Sequence, residues 1–189
     1  MKEPLEVTIG NLLRECDLKL AVAESCTGGL LCNRITDVPG SSDYFIGGFV
    51  SYAYEAKVKS LGVRWDTLKA YGAVSRETVL EMARGARMAL DTDLGIAVSG
   101  IAGPGGGTPE KPVGLTWIGL AAPEGEWARV FRFPCNREQN KASSAEAALQ
   151  LLVEYLEGKR NLDADLRNAK LTDSRKSVVS ELGHRIGSI

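Results

Sequence analysis

Apolar residues recur along the chain with two periods, and the switches between them outline a layered domain. Leu5, Ile9, Leu12 and Leu13 share one helical face over Leu5 to Cys16. Leu18 to Ala23 (LKLAVA) is a short, nearly continuous apolar run that predicts a buried strand, and Leu30 to Ile35 reads as helix after an intervening turn. The turn VPGSS at Val38 to Ser42 leads to Phe45 to Tyr52, rich in strand formers, where Gly47 and Gly48 predict a bulge or a close backbone approach. Glu55 to Leu61 predicts a short helix. Ser75, with Thr78 three residues on, opens a longer one to about Leu90, carrying Val79, Met82, Ala86 and Ala89 on one face. Leu94 to Ser99 is a second buried strand. Gly114 to Ala121 and Trp127 to Phe133 predict a hairpin across Pro123 to Glu126, and Ala142 to Leu156 a long helix.

Strands alternating with helices, followed by a late hairpin, predict a single α/β domain with a mixed sheet. It should occupy residues 1–158. The segment 159–189 is polar and charged and reads as a C-terminal extension, either helical or partly disordered.

Composition narrows the chemistry. With 44% apolar and 25% charged residues, the chain is ordinary for a globular protein. A formal net charge of -1 argues against a general nucleic-acid binder, while leaving room for a local basic site that takes a small phosphate. No apolar run approaches the ~20 residues needed to span a bilayer, and Met1 to Gly10 lacks the apolar core of a secretory signal. Cys16, Cys26, Cys32 and Cys135 form no C-x-x-C pair, which favours reduced thiols and a cytoplasmic setting. The single histidine, His184, lies near the C-terminal end. A histidine-dependent serine or cysteine site, or a histidine zinc site, is therefore disfavoured, and a base should come from Lys, Asp, Glu or Tyr.

Three segments carry candidate chemistry. AESCTGG (Ala23 to Gly29) puts small hydroxyl residues between a buried strand and a helix N-terminus, where unsatisfied N–H groups favour negative charge. Ser25 there can act as a nucleophile beside an oxyanion site, although a helix cap is the commoner role of residues such as Ser25 or Thr27 in that place. Cys26 is an alternative nucleophile with no histidine nearby to activate it. The loop Ser99 to Gly114 holds six glycines and three prolines in sixteen residues. It matches neither a Walker A loop nor a dinucleotide fingerprint, and reads either as a surface turn or as an anion-binding nest. Lys57, at the end of FVSYAYEAK, is a solvated lysine or, if buried, a neutral amine able to accept a proton.

Together with ITDVPGSS (Ile35 to Ser42) and YGAVS (Tyr71 to Ser75), these segments resemble, in order, the CinA C-terminal-domain family from about Leu5 to Leu156. The resemblance implies a three-layer α/β/α sandwich and a serine–lysine amidohydrolase that deamidates nicotinamide mononucleotide in pyridine nucleotide salvage, with no metal and no cofactor. It makes Ser25 the nucleophile and Lys57 the base, with Tyr52 orienting the lysine or the substrate. Thr27, Gly28 and Gly29 would supply donors near the oxyanion. Ser41, Ser42 and the loop residues Gly100, Gly103, Gly105, Gly106 and Thr108 would help form the nucleotide pocket, and Arg137 would reach a phosphate. Tyr54 departs from an asparagine common in the family, and Lys141 from a frequent arginine. The larger family architecture adds an N-terminal pyrophosphatase-like domain, so only the amidase activity is expected here. The expected partners are a small nucleotide substrate and further copies of the chain as a homo-oligomer, with no nucleic acid and no membrane. Two alternatives are a nucleotide-binding regulatory module without turnover and a competence or damage-response accessory acting through partners.

Overall fold

A computed structural model describes residues 3–158; the 159–189 extension and its predicted character lie outside the described residues. The elements follow the order α1 (Leu5–Glu15), β1 (Leu20–Glu24), α2 (Leu30–Thr36), a 3-10 turn (Ser41–Asp43), β2 (Phe45–Val50), α3 (Tyr54–Leu61), α4 (Trp65–Tyr71), α5 (Arg76–Ala89), β3 (Leu94–Gly100), β4 (Leu115–Ala122) and β5 (Gly125–Arg132). A last helix, α6, covers 137–158. Ser75 caps α5 by accepting the Thr78 N–H at 3.2 Å, as the serine-to-threonine spacing predicts. The helix α4 is shorter than two full turns, too short for apolar periodicity to register.

The five strands form one mixed sheet in the order β2-β1-β3-β4-β5. Strands β2, β1 and β3 run parallel, and β4 and β5 return antiparallel. The register slips between Leu20 and Ala21, which pair with Phe45 and Gly47, so β2 bulges where its glycines begin. A β-carbon on Gly48 would lie 2.4 Å from Cys32 Sγ, so α2 approaches this strand more closely than any side chain there would permit.

Helices pack on both faces, and the alternation of residue size along the strands decides which helices go where. Leu20, Val22, Leu94, Ile96, Val98, Ile118 and Leu120 project to one face and build the larger core with α1, α2 and α6. Ala21, Ala23, Ala97 and Ala121 line the other, against α3, α4 and α5. The small residues let α5 lie almost on the sheet: a β-carbon on Gly95 would meet Ala83 O at 2.1 Å. The result is a single α/β domain with helices on both faces. No helix among the described residues is long and apolar enough to cross a membrane.

The connection after β1 goes to α2 on one face, whereas the connection after β2 goes to α3 on the other. Adjacent parallel strands whose following segments part in this way open a crevice at their carboxyl ends. Glu24 pairs with Val50 at that end, so Ser25 and Ser51 emerge side by side.

Candidate active site

Ser25 is held first by the sheet. Its N–H donates to Val98 O at 3.0 Å, which extends the β1–β3 ladder one residue past the strand. The chain then turns through Gly28 and Gly29, whose φ angles of 65° and 97° lie in the region that favours glycine. The backbone donors of this turn are largely accounted for. Leu30 N–H reaches Thr27 O at 3.4 Å, and the N–H groups of Gly29, Leu31 and Cys32 all donate to the Glu24 carboxylate. The N–H groups of Cys26, Thr27 and Gly28 are not engaged by Glu24 or by a backbone carbonyl among these bonds, and those of Cys26 and Thr27 face the Cys26 sulfur. This corrects the expectation for Gly29, whose N–H is committed to Glu24 instead of being open to an oxyanion.

Lys57 comes from the first turn of α3 and is fully buried. Its Nζ lies 3.0 Å from Ser25 Oγ and donates to Ser51 O at 2.6 Å and Tyr52 O at 3.0 Å. Burial disfavours the ammonium and lowers its pKa to about 8, with a small opposing contribution from the Cys26 thiol. Tyr52 thus holds the lysine through its main-chain carbonyl, while its ring is 63% exposed. The Cys26 thiol is pushed up to about 11, chiefly by burial, so it stays protonated at neutral pH and is a poor nucleophile. His184 lies outside the described residues.

Beside the turn lies a cavity of about 830 Å³ lined by Thr27, Gly28, Gly29, Asn33, Arg137 and Lys141, among others. Lys141 Nζ stands over Gly28, 3.8 Å from where a β-carbon would project. Thr27 Oγ1 is buried and has no hydrogen-bond partner. Arg137 donates to Gly103 O at 2.7 Å and Asn140 to Ala102 O at 3.0 Å, so the start of α6 holds the start of the glycine-rich loop. The far end of the loop is held by Lys111 Nζ, which bonds Tyr71 O and, at 2.8 Å, Val74 O. Thr108 closes a small turn with Lys111 through Oγ1, and Gly105 and Gly106 are exposed between the two anchors. Gly100 is needed for close approach, because a β-carbon there would meet Thr116 Oγ1 at 2.5 Å and Cys26 Sγ at 3.1 Å.

Ser41 and Ser42 do not join this site. They sit in the 3-10 turn before β2, whose direction is parallel to β1, at the amino end of the strands. The six residues of β2 separate them from Ser51 by roughly 20 Å at ~3.3 Å per residue. Within one chain they cannot line a pocket at Ser25. Tyr54 also has a defined place: its hydroxyl accepts the Ala73 N–H at 3.2 Å and its ring lies 6.5 Å from that of Trp65. Sequence reasoning missed Glu24. The available signal was an acidic residue closing an otherwise apolar buried strand, where carboxylates are rare unless paired. Among the described residues no three His, Cys, Asp or Glu side chains converge in a way that could hold a metal ion.

An α/β domain with a buried serine–lysine contact in the crevice between two parallel strands is the class that fold and site define. The CinA C-terminal domain model matches residues 2–156, and the chain belongs to that family. It is 52% identical over 157 residues to a CinA-like protein of Chloroherpeton thalassium, covering 81% of this chain and 37% of that protein. It is 53% identical over 150 residues to a putative competence-damage inducible protein of Moorella thermoacetica, covering 79% and 36%. The chain therefore spans a little over a third of these relatives' length. Among solved structures, the competence/damage inducible protein CihA of Agrobacterium tumefaciens superposes with a TM-score of 0.76 at 38% identity, covering 83% of this chain and 99% of that one. A CinA superfamily protein of Klebsiella pneumoniae superposes with a TM-score of 0.79 at 32% identity, covering 82% and 96%.

Proposed function

We propose that this chain is an amidohydrolase that converts nicotinamide mononucleotide to nicotinic acid mononucleotide and ammonia, using Ser25 as nucleophile and Lys57 as base. The observation that carries the proposal is the buried Lys57 amine, 3.0 Å from Ser25 Oγ. A neutral amine has two hydrogens and one lone pair. With Ser51 O and Tyr52 O accepting the two hydrogens, the lone pair is left facing the serine hydroxyl.

In the first step Lys57 takes the Ser25 proton as Oγ bonds to the carboxamide carbon. The oxyanion faces the Cys26, Thr27 and Gly28 N–H groups, each donor worth about 3 kcal/mol of barrier. Collapse breaks the C–N bond, and the lysine returns the proton to the departing nitrogen, releasing ammonia. Water then attacks the acyl-serine with Lys57 again as base, which frees the acid and restores the hydroxyl. Arg137 and Lys141, flanking the cavity beside the turn, supply charge for the nucleotide phosphate.

The test is ammonia release from nicotinamide mononucleotide by the purified protein beside Ser25→Ala. Serine-dependent release with formation of the acid supports the reaction. Nucleotide binding without release would favour a regulatory module instead. Because only neutral Lys57 accepts a proton, and about a tenth is neutral at pH 7 when the pKa is about 8, the rate should climb with pH and level off above about 9.

A further inference from the structure

The reaction above makes no use of the carboxylate next to its nucleophile. Glu24 ends β1 and is fully buried, where a carboxylate must replace its water with protein donors. Backbone supplies three of these donors, Gly29 N–H at 2.9 Å, Leu31 N–H at 3.1 Å and Cys32 N–H at 2.8 Å, and the Cys32 thiol hydrogen-bonds the same carboxylate. These groups would otherwise be orphan donors at the start of α2, the feature that ordinarily attracts anions from outside. The main-chain carbonyl of Glu24 accepts the Ser51 N–H at 2.8 Å, and the Ser51 carbonyl accepts from Lys57 Nζ. One residue therefore shapes the turn that carries Ser25 and, through Ser51, the segment that aims the lysine.

We infer that Glu24 is a positioning residue. By filling the start of α2 from within, it fixes the Ser25 to Gly28 turn and with it the placement of the Ser25 hydroxyl beside Lys57. Glutamine at this place would retain the shape but replace one acceptor oxygen with an NH₂ group opposed to backbone donors. The inference rests on the amidase reading for its kinetic arm only.

The experiment compares wild type, Glu24→Gln and Glu24→Asp, each shown folded by circular dichroism at the assay temperature. Two readouts are taken: kcat and KM for nicotinamide mononucleotide, and the rate at which Ser25 is labelled by a fluorophosphonate. Glu24→Gln should lose tenfold or more in kcat and in labelling, with KM within twofold and the pH midpoint unchanged, since the contacts of Lys57 are retained. Glu24→Asp keeps the charge but is one methylene short, and should lose less. If Glu24→Gln does not fold, Glu24→Asp decides, and labelling equal to wild type in it overturns the inference. A folded Glu24→Gln labelled within twofold of wild type, or one whose KM rises as much as kcat falls, also overturns it. Wild type that is labelled at Ser25 but releases no ammonia would defeat the amidase reading alone, leaving the labelling arm to decide. Wild type that is not labelled would defeat both.

Discussion

The connections leaving β1 and β3 are both glycine-rich and both lie at the carboxyl end of the sheet, yet they are built differently. The turn after β1 is satisfied from within: strand, carboxylate and helix start account for most of its backbone donors, and glycine appears where φ is positive. The loop after β3 is tied to other elements near its two ends, by Arg137 and Asn140 on one side and Lys111 on the other, and within itself by the Thr108–Lys111 turn and a Gly114 N–H bond to Ile101 O. A turn that must present a nucleophile with sub-ångström placement needs the first kind of construction. A loop that only has to close one side of a pocket can use the second.

The sharpest test of this contrast is Lys57→Met, which removes the base and leaves the turn intact. Turnover should fall by about 10³-fold or more, measured as ammonia release. The same variant reports the energetic cost of burying the lysine. Its folded pKa of about 8 lies below the ordinary 10.5, so between those values the unfolded chain binds more protons and wild-type stability rises with pH. Relative to Lys57→Met, wild type should gain up to roughly 3 kcal/mol across that window, read from denaturant midpoints at pH 7 and pH 10.

Gly100→Ala probes the place where the two connections meet. The new methyl would collide with Thr116 Oγ1 and with Leu115 O, a backbone atom that cannot turn aside. A loss of about 1–3 kcal/mol in urea unfolding is expected. Arg137→Ala should raise KM for the nucleotide by about tenfold, or roughly 1.4 kcal/mol, while kcat changes less. It removes a charge from the cavity and an anchor from the loop, but nothing from the Ser25 turn. Gly105→Ala should change stability by less than about 0.5 kcal/mol, because a β-carbon there meets nothing within 4 Å. A large thermal shift in that variant would show that the loop is more tightly built than its anchors indicate.

Much of this was legible along the chain. The buried strands, the Ser75 cap, the β4–β5 hairpin and the bulge near Gly47 follow from local patterns of size, polarity and turn chemistry, which need no knowledge of distant partners. Ser25 and Lys57 could be named, but whether Lys57 is buried or solvated could not be read from its neighbours. Its burial comes from the crevice between β1 and β2 and from carbonyls that reach it only when α3 folds back. That Ser41 and Ser42 lie apart from Ser25 within one chain could not be read in this way, because a motif gives order along the chain and not the end of the sheet at which a segment falls. The role of Glu24 is hard to read along the chain because its partners are chiefly main-chain donors, which have no side-chain signature in a sequence.

By itself, then, the sequence determined most of the elements, their faces and the residue types available for chemistry, because these depend on interactions within a few residues. Tertiary structure alone decided the strand order, the parting of the connections after β1 and β2, the lowered pKa of Lys57 and the committed donors at the start of α2. Each of these depends on which segments, far apart in the chain, come to exclude water from one another.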